Sequence, residues 1–264
     1  MEPLPQDLGL LLTEQFREQM NHLSAAVQLL TPVVREKAGA QYDPYLAIVH
    51  QSMYRMMRMM GNLEYLQLEE EDAAPRMGSL DLAGLCRELA GQAASLVRQA
   101  GVELSYEETD GCVLTTGDAA QLRRMLLALI SNAVKAAGQG GQAGLRLAVK
   151  GDRVSLTVWD NGPGMDFDRP DEEDLLKRPG GLGLGLRVAR RVAALHGGAL
   201  VFEQREDRGS RAIVSLPIRP PEDGQVLRTP GIPMDVGGGF SDLRVELADV
   251  LPYGAYGPAE LEHI

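Results

Sequence analysis

Glycine alternates with leucine between Gly180 and Leu186, and this run opens a helical pattern that continues to His196. Alternating glycines at the start of a helix leave main-chain N–H groups uncovered beside the positive helix end, where phosphate oxygens can approach without obstruction. The run therefore predicts a phosphate-binding cradle. A dinucleotide-binding fold is disfavoured, because that fold needs a strand directly before its glycines and residues 168–179 are acidic and loop-like.

Two polar motifs upstream of the glycine run support the same interpretation. Asp160 begins the motif Asp-Asn-Gly-Pro-Gly at the end of an alternating strand pattern, on the same face as Leu156 and Val158. A carboxylate at the edge of an apolar face is positioned for a buried hydrogen bond. Asn132 lies further upstream, inside a helical pattern. The glycine run, the motif at Asp160 and the helix with Asn132 are thus all consistent with one phosphate-binding site.

The N-terminal part of the chain, residues 1–72, predicts an antiparallel helical hairpin. Asp43-Pro44 supplies an N-cap acceptor and a first-turn proline for the second helix. Apolar residues recur along both helices at alternating steps of four and three, the spacing of a packed seam. We expect all of them in the core of a four-helix bundle that two chains form together. These residues are Phe16, Met20, Leu23, Val27 and Leu30 in the first helix, and Leu46, Val49, Met53, Met56, Met60 and Leu63 in the second.

Residues 73–218 predict a separate α/β sandwich with a mixed, mainly antiparallel sheet, so that the chain as a whole is α+β. Two strand pairs are expected, 145–149 with 154–158 and 199–203 with 211–216. Another strand covers 102–106, and residues 112–115 are expected to pair with it.

The remaining residues, 219–264, have the proline and glycine content of a tail that is mostly linker. Phe240, Leu243, Leu247 and Val250 recur at helical spacing. They predict a short amphipathic helix over 241–251 that docks on this chain or on a partner.

Composition limits the partners. The net charge of -11 argues against nucleic acid and against an anionic membrane surface, because both require a basic face. No apolar run approaches the roughly 20 residues of a membrane helix, and the N-terminus lacks the pattern of a secretory signal. We therefore expect a cytoplasmic protein.

Over most of its length, from Leu8 to Pro217, the chain resembles the histidine kinase core of two-component signalling systems. That core is a dimerising hairpin followed by an ATP-binding domain of the gyrase and Hsp90 type. The segment 126–135 is similar to the N box of this family, 160–164 to its first glycine box, 181–186 to its second, and Gly209-Ser210 to its closing motif.

The resemblance implies ATP and Mg²⁺ as ligands, with Asn132 offering its amide oxygen to the metal and Lys135 neutralising phosphate charge. Asp160 would accept a hydrogen bond from the adenine amino group. The other implied nucleotide-binding residues are Gly162, Gly164, Gly181, Gly183, Leu184, Gly185, Leu186 and Ser210. The sequence departs from the family at Ala128, which replaces the first N-box asparagine, and in segment 166–179, which lacks an aromatic pair.

A kinase of this family needs an exposed histidine on the first hairpin helix as phosphoacceptor. His22 lies roughly 120° from the apolar seam on a helical wheel, which places it toward solvent. The family's acidic residue directly after the histidine is Leu23 here, and Glu18, one turn earlier, is the candidate base. In another register of the family's pattern, Glu18 and Asn21 fit but Arg17 stands where the histidine belongs.

Two functions therefore remain open. The first is a dimeric kinase that phosphorylates His22 from ATP and passes the phosphate to an aspartate of a response regulator. The second is a kinase-like dimer that binds nucleotide and acts as a scaffold or switch without phosphotransfer. A serine kinase or ATPase without a hairpin is disfavoured, because residues 8–68 would have no purpose in it.

Overall fold

The computed structural model describes residues 6–68, 72–109, 111–163, 183–205, 208–220 and 240–261. The chain forms two compact units. The first combines residues 1–73 with residues 233–264, and the second comprises residues 74–232. The chain therefore begins in the first unit, builds the second unit and returns to the first.

Two long helices dominate the first unit, α1 (Gln6–Ala38) and α2 (Asp43–Gln67). Gly39, with φ of 83°, and a short 3₁₀ turn, Ala40–Tyr42, reverse the chain between them. A positive φ is readily adopted only by glycine, which explains this residue at the turn. The predicted hairpin is present, but the prediction that Asp43 is the N-cap of α2 is wrong. Asp43 is the first residue of the helix, and the N-cap residue, Tyr42, makes no side-chain cap hydrogen bond.

The expected apolar seam of the hairpin divides into two stripes. Met20 and Val27 on α1 are buried, as are Met53 and Met60 on α2. The residues at the alternate positions of the heptad pattern remain 36 to 61% exposed within the chain. We call them the apolar stripe: Phe16, Leu23 and Leu30 on α1, and Val49, Met56 and Leu63 on α2. Within the single chain only the first set is buried, and burial of the apolar stripe remains a prediction for the two-chain bundle.

Residues 240–261 fold with the hairpin and extend beyond the helix expected over 241–251, whereas residues 221–239 of the expected linker lie outside the described residues. Residues 240–261, which we call the C-terminal segment, form α6 (Asp242–Glu246), a 3₁₀ turn (Tyr253–Tyr256) and α7 (Pro258–Leu261). The helix expected over 241–251 is thus only five residues long. All three elements pack on α2. Burial of aromatic and aliphatic side chains, including Phe240 and Tyr256, explains the docking.

The second unit contains a five-stranded sheet in the order β2-β4-β5-β7-β6. Strands β2 and β4 are parallel and the other pairs are antiparallel. The strands are β2 (Glu103–Glu108), β4 (Gln142–Lys150), β5 (Arg153–Asp160), β6 (Ala199–Gln204) and β7 (Ser210–Pro217). The predicted strand pairs β4–β5 and β6–β7 and the mixed, mainly antiparallel sheet are confirmed.

One predicted strand pair is wrong. Strand β3 (Leu114–Gly117) pairs with β1 (Gly78–Asp81) in a separate two-stranded sheet, and not with β2. The side chain of Asp81 fixes this arrangement, because its Oδ1 accepts a hydrogen bond from the Val113 N–H at 3.1 Å. Strand β2 finds its partner in β4 instead.

Three helices of the second unit pack against the large sheet: α3 (Leu82–Val97), α4 (Ala119–Ala137) and α5 (Leu184–Leu195). Side chains of β5 alternate strictly between buried and partly exposed, so one face of the sheet is covered. None of the helices in the described parts of the chain combines the length and apolar character that crossing a bilayer requires.

Candidate functional site

Asp160 is the last residue of β5 and is only 2% exposed. Its Oδ1 accepts hydrogen bonds from the backbone N–H groups of Gly162 at 2.9 Å and Ser210 at 3.4 Å. Its Oδ2 accepts from the Ser210 hydroxyl at 2.6 Å. A buried carboxylate requires such donors, because burying a charge without hydrogen bonds is costly. The sequence expectation of a buried, hydrogen-bonded Asp160 is met.

Two glycines beside Asp160 allow the backbone to pack closely at the end of β5. A Cβ on Gly162 would lie 2.0 Å from the carbonyl oxygen of Ala136, in the last turn of α4. A Cβ on Gly209, whose φ is +91°, would lie 2.0 Å from the carbonyl oxygen of Asp160. Side chains at either position would force these elements apart. Both glycines are therefore required by close packing around the carboxylate.

Two arginines outside the sequence motifs donate hydrogen bonds to backbone carbonyls at the end of β5 and just after it. Arg205 Nη1 donates to the carbonyl oxygen of Asp160 at 3.1 Å, and Arg208 Nε donates to that of Gly162 at 3.2 Å. The Arg205 guanidinium also lies 4.7 Å from the ring centroid of Trp159. No spacing rule marks these arginines, because their partners are backbone carbonyls of another strand.

The N-terminus of α5 has a glycine cap. Its N-cap residue, Gly183, has φ of 65° and supplies no side-chain cap to the first N–H groups of the helix. These groups and the helix dipole form a favourable environment for an anion. Gly183, Leu184, Gly185 and Leu186 all belong to this helix start. Gly164 and Gly181 lie outside the described residues.

Helix α4 carries Asn132 and Lys135 and packs on α5. Asn132 is half-buried and Lys135 is exposed. An amide oxygen is a suitable ligand for Mg²⁺, which retains most of its waters when it binds with phosphates. The donor set thus fits a metal held mainly by a nucleotide. Within the described residues, no group of three or more His, Cys, Asp or Glu side chains converges as a metal site of its own.

His196 connects α4 and α5. Its Nε2 accepts a hydrogen bond from the Asp118 N–H at 3.1 Å, so the ring proton is on Nδ1, which donates to the Val192 carbonyl at 2.8 Å. Burial lowers the pKa of His196, since the charged form is poorly solvated there. Asp118 caps α4 through the N–H groups of Ala120 and Gln121. This imidazole has a structural role.

His22, the candidate phosphoacceptor, is exposed on α1, and Glu18 is exposed one turn earlier. The other histidines in the described parts of the chain are buried, since His50 is 7% and His196 4% exposed. Arg17, which replaces histidine in the alternative register, pairs with Glu64 across the hairpin. That position therefore faces α2, whereas His22 faces solvent.

Comparison with known proteins gives the class of the second unit. The family of histidine kinase-, DNA gyrase B- and HSP90-like ATPases matches residues 117–220. This range contains Asn132, Lys135, Asp160, the glycines beside it and Ser210. The nucleotide-site candidates thus lie within an ATPase domain of this family.

Relatives extend the similarity to the hairpin. The chain is 28% identical to the sensor histidine kinase RppB of Synechocystis over 77% of this chain and 47% of that protein. It is 25% identical to the histidine-protein kinase/phosphatase MprB of a Mycobacterium species, over 84% of this chain and 50% of MprB. The chain thus spans about half the length of these relatives. Its helical region followed by the ATPase domain is similar to the core of these sensor histidine kinases.

Solved structures share the fold. Full-length ShkA in complex with AMPPNP has a TM-score of 0.67 at 24% identity, covering 83% of this chain and 47% of the ShkA chain. The histidine kinase ThkA in complex with the response regulator protein TrrA has a TM-score of 0.56 at 19% identity, covering 79% of this chain and 61% of ThkA. At these identities the likeness concerns architecture.

Proposed function

We propose that this chain is the core of an ATP-dependent protein-histidine kinase of a two-component system, with His22 as phosphoacceptor. The observation that carries the proposal is the combination of a buried, hydrogen-bonded Asp160 with a glycine-capped helix start at Gly183 in a domain of this ATPase family. The use of cellular ATP assigns the activity to the cytoplasm.

The residues of the second unit bind and orient the nucleotide in this proposal. Asp160 is held by Ser210 and Gly162 and accepts a hydrogen bond from the adenine amino group. The N–H groups at the start of α5 receive phosphate oxygens, Lys135 neutralises phosphate charge, and Asn132 holds Mg²⁺. The metal, when bound, stabilises negative charge on the phosphates. Gly164 and Gly181 belong to the same proposed site by their motifs.

Residues of α1 carry out the transfer. An unprotonated ring nitrogen of His22 attacks the terminal phosphorus in line, the bond to the bridging oxygen breaks, and ADP leaves. Glu18, one turn earlier on α1, accepts the proton from the other ring nitrogen. The exposure of both side chains supports this assignment. A buried imidazole, such as that of His50 or His196, could not reach a bound nucleotide.

The hairpin mediates two interactions in this proposal. The apolar stripe is the surface on which a second copy packs to complete a four-helix bundle, because six large apolar side chains at heptad spacing are exposed on a single chain. A response regulator then receives the phosphoryl group from His22 on an aspartate. The complex of ThkA with TrrA supports a partner of this kind by fold analogy alone.

The experiment is incubation of the chain with γ-labelled ATP and Mg²⁺, followed by acid and alkali treatment. Label that is labile to acid, stable to alkali and absent from His22→Ala is expected. Lys37→Glu, at an exposed site near the end of α1, is the control for a substitution on the same helix. Label that persists in His22→Ala would refute the assignment of the acceptor.

A second candidate function is a kinase-like dimer that binds nucleotide without transferring phosphate. The residue after His22 favours it, because Leu23 lies in the apolar stripe and cannot act as a base. Calorimetric binding of Mg·ATP with no labelled protein would establish this candidate. Absence of binding in wild-type protein would refute both functions.

A further inference from the structure

The C-terminal segment contacts a face of α2 that lies away from the apolar stripe. We call this face the outer face; it consists of His50, Gln51, Tyr54, Arg55 and Arg58. At about 100° per residue it lies on roughly the opposite side of α2 from the apolar stripe. The two surfaces are therefore separate, and one can be covered while the other is free.

Polar side chains of the outer face recognise main-chain carbonyls of the C-terminal segment. Gln51 Nε2 donates to the carbonyl oxygens of Leu251 at 2.7 Å and Ala248 at 3.3 Å. Arg55 Nε also donates to Ala248 at 3.0 Å. These carbonyls belong to the turns that follow α6. The outer face thus binds the backbone directly after the docked helix.

Charge complementarity adds to this recognition. Arg58 pairs with Glu246 at 3.3 Å and with Asp249 at 2.5 Å, and the side chains of Arg58 and Glu246 are mostly shielded from solvent. Arg55 lies 3.8 Å from Asp249. An ion pair that is partly desolvated contributes more than an exposed one, and loss of one partner is costly. The outer face is therefore selective for an acidic segment.

Aromatic rings provide the apolar anchor. The ring of Tyr54 lies edge-on to Phe240 at 4.9 Å and beside Tyr256 at 5.0 Å between centroids. The Tyr256 side chain is fully buried, and its carbonyl oxygen lies 3.1 Å from His50 Nδ1. Tyrosine and arginine with an aromatic anchor are typical of binding hot spots.

The C-terminal segment depends on this contact for its own folding. Its helices, α6 and α7, have five and four residues, far fewer than the ~12 that an isolated helix needs to be even marginally stable in water. Arg244 connects them by donating to the carbonyl oxygens of Ala255 and Glu260, and the Tyr256 hydroxyl donates to the Arg244 carbonyl. Folding and docking of the segment are therefore one equilibrium.

We propose that the outer face of α2 is a docking site for an acidic segment with an aromatic anchor, and that the chain's own C-terminal segment occupies it as a reversible ligand. Release of the segment unfolds it and exposes the arginines and Tyr54 of the outer face. Another segment of the same chemistry then binds there only in competition with residues 240–261.

The test uses the full chain with Glu246→Arg and Asp249→Arg. These substitutions are expected to release the native segment, because both carboxylates pair with Arg58, and they leave the outer face itself unchanged. A fluorescent peptide of residues 240–261 is titrated against this variant and against wild type. The peptide is expected to bind the variant at least about tenfold more tightly, because the wild-type site is occupied. Hydrogen exchange of residues 240–261 verifies the release.

A charge reversal identifies the surface. Adding Arg58→Glu to the released variant reverses the charge on α2 and is expected to restore exchange protection to the variant's own residues 240–261. The wild-type peptide should then bind at least about tenfold more weakly than it binds the released variant. Lys37→Glu in the same background is the control and should leave peptide affinity unchanged.

Three results would overturn the proposal. Equal affinity of the peptide for wild type and the released variant would mean that the segment does not occupy the site. Absence of binding to a variant whose segment has lost its exchange protection would mean that the outer face is no docking site. Retained protection in the variant would refute the selectivity for an acidic segment.

Discussion

Ser210 donates its hydroxyl hydrogen to Asp160 Oδ2 at 2.6 Å, although 50 positions of the sequence separate the two residues. The antiparallel pairing of β5 with β7 brings them together, because Ser210 begins β7 beside the end of β5. The carboxylate is thereby fixed by a donor that can adapt its hydroxyl direction. The nucleotide site proposed above depends on this orientation.

We predict that Ser210→Ala lowers both stability and nucleotide affinity. Loss of a hydrogen bond to a buried charged group is expected to reduce the free energy of unfolding by about 1–3 kcal/mol and the affinity for Mg·ATP by roughly tenfold. Urea unfolding and isothermal titration calorimetry measure these effects. Ser95→Ala, at an exposed site in α3, is the control. Asp160→Ala should abolish binding, and unchanged affinity in that variant would remove the proposed adenine site.

Glycine substitutions should distinguish close packing from helix propensity. Gly162→Ala is expected to disrupt the site and to abolish nucleotide binding, because its Cβ would overlap the Ala136 carbonyl oxygen. Gly91→Ala is the matched control, since Gly91 lies in α3 with no neighbour within 4 Å of an added Cβ. It should stabilise the chain by about 0.5–1 kcal/mol. Thermal unfolding of both variants with and without Mg·ATP measures their stability and nucleotide binding. Unchanged stability and unchanged nucleotide binding in Gly162→Ala would contradict the close packing described here.

The two buried histidines predict lower stability in acid. Burial lowers the pKa values of His50 and His196 below 6.5, so the unfolded state binds protons first as pH falls. The free energy of unfolding should therefore be fully retained above about pH 6.5 and decrease below it, by at most about 1.4 kcal/mol per pH unit for each histidine. Once the pH is below the folded-state pKa of a histidine, the contribution of that histidine to the free energy of unfolding is completely lost.

Urea unfolding between pH 7.5 and 5.5 measures this dependence. His196→Gln, whose amide oxygen can replace Nε2 as acceptor for the Asp118 N–H, should unfold with a smaller change across this range than wild type. The double variant with His50→Gln should show the smallest change. Identical pH dependence in all three proteins would mean that the buried imidazoles are not its source.

Dimerisation is predicted to depend on the apolar stripe. Leu23→Glu introduces a charge into the stripe and should shift the chain from dimer to monomer at micromolar concentration in light scattering. Leu29→Glu is the control, because Leu29 is 75% exposed on the same helix and lies outside the stripe. A monomeric wild type would contradict the proposed four-helix bundle.

Local sequence patterns predicted much of this structure because they report burial along one element. The heptad spacing identified both hairpin helices, and the alternating residues of β5 placed Asp160 at a buried edge. The same patterns could not separate Met53, which packs within the hairpin, from Met56, which is exposed on the single chain. A heptad pattern includes both the residues that pack within one hairpin and those of the apolar stripe. It does not indicate whether the same chain or a second chain covers each of them.

Contacts between distant segments were not predictable from periodicity. The pairing of β3 with β1 depends on the Asp81 side chain, and the positions of Arg205 and Arg208 depend on carbonyl groups at the end of β5. The C-terminal segment showed helical spacing, but its length and its partner follow from side chains of α2. These positions depend on tertiary contacts, and the residue pattern of a single helix or strand contains no information about such contacts.

The return of the chain to α2 also dictates an order of events during synthesis. His50 contacts the carbonyl oxygen of Tyr256 across 206 positions, so the outer face cannot be covered until Tyr256 has left the ribosome. The ATPase domain lies entirely between these positions and can fold first. Nascent chains should therefore display α2 with its outer-face arginines and Tyr54 uncovered from the synthesis of the hairpin until the C-terminal segment emerges.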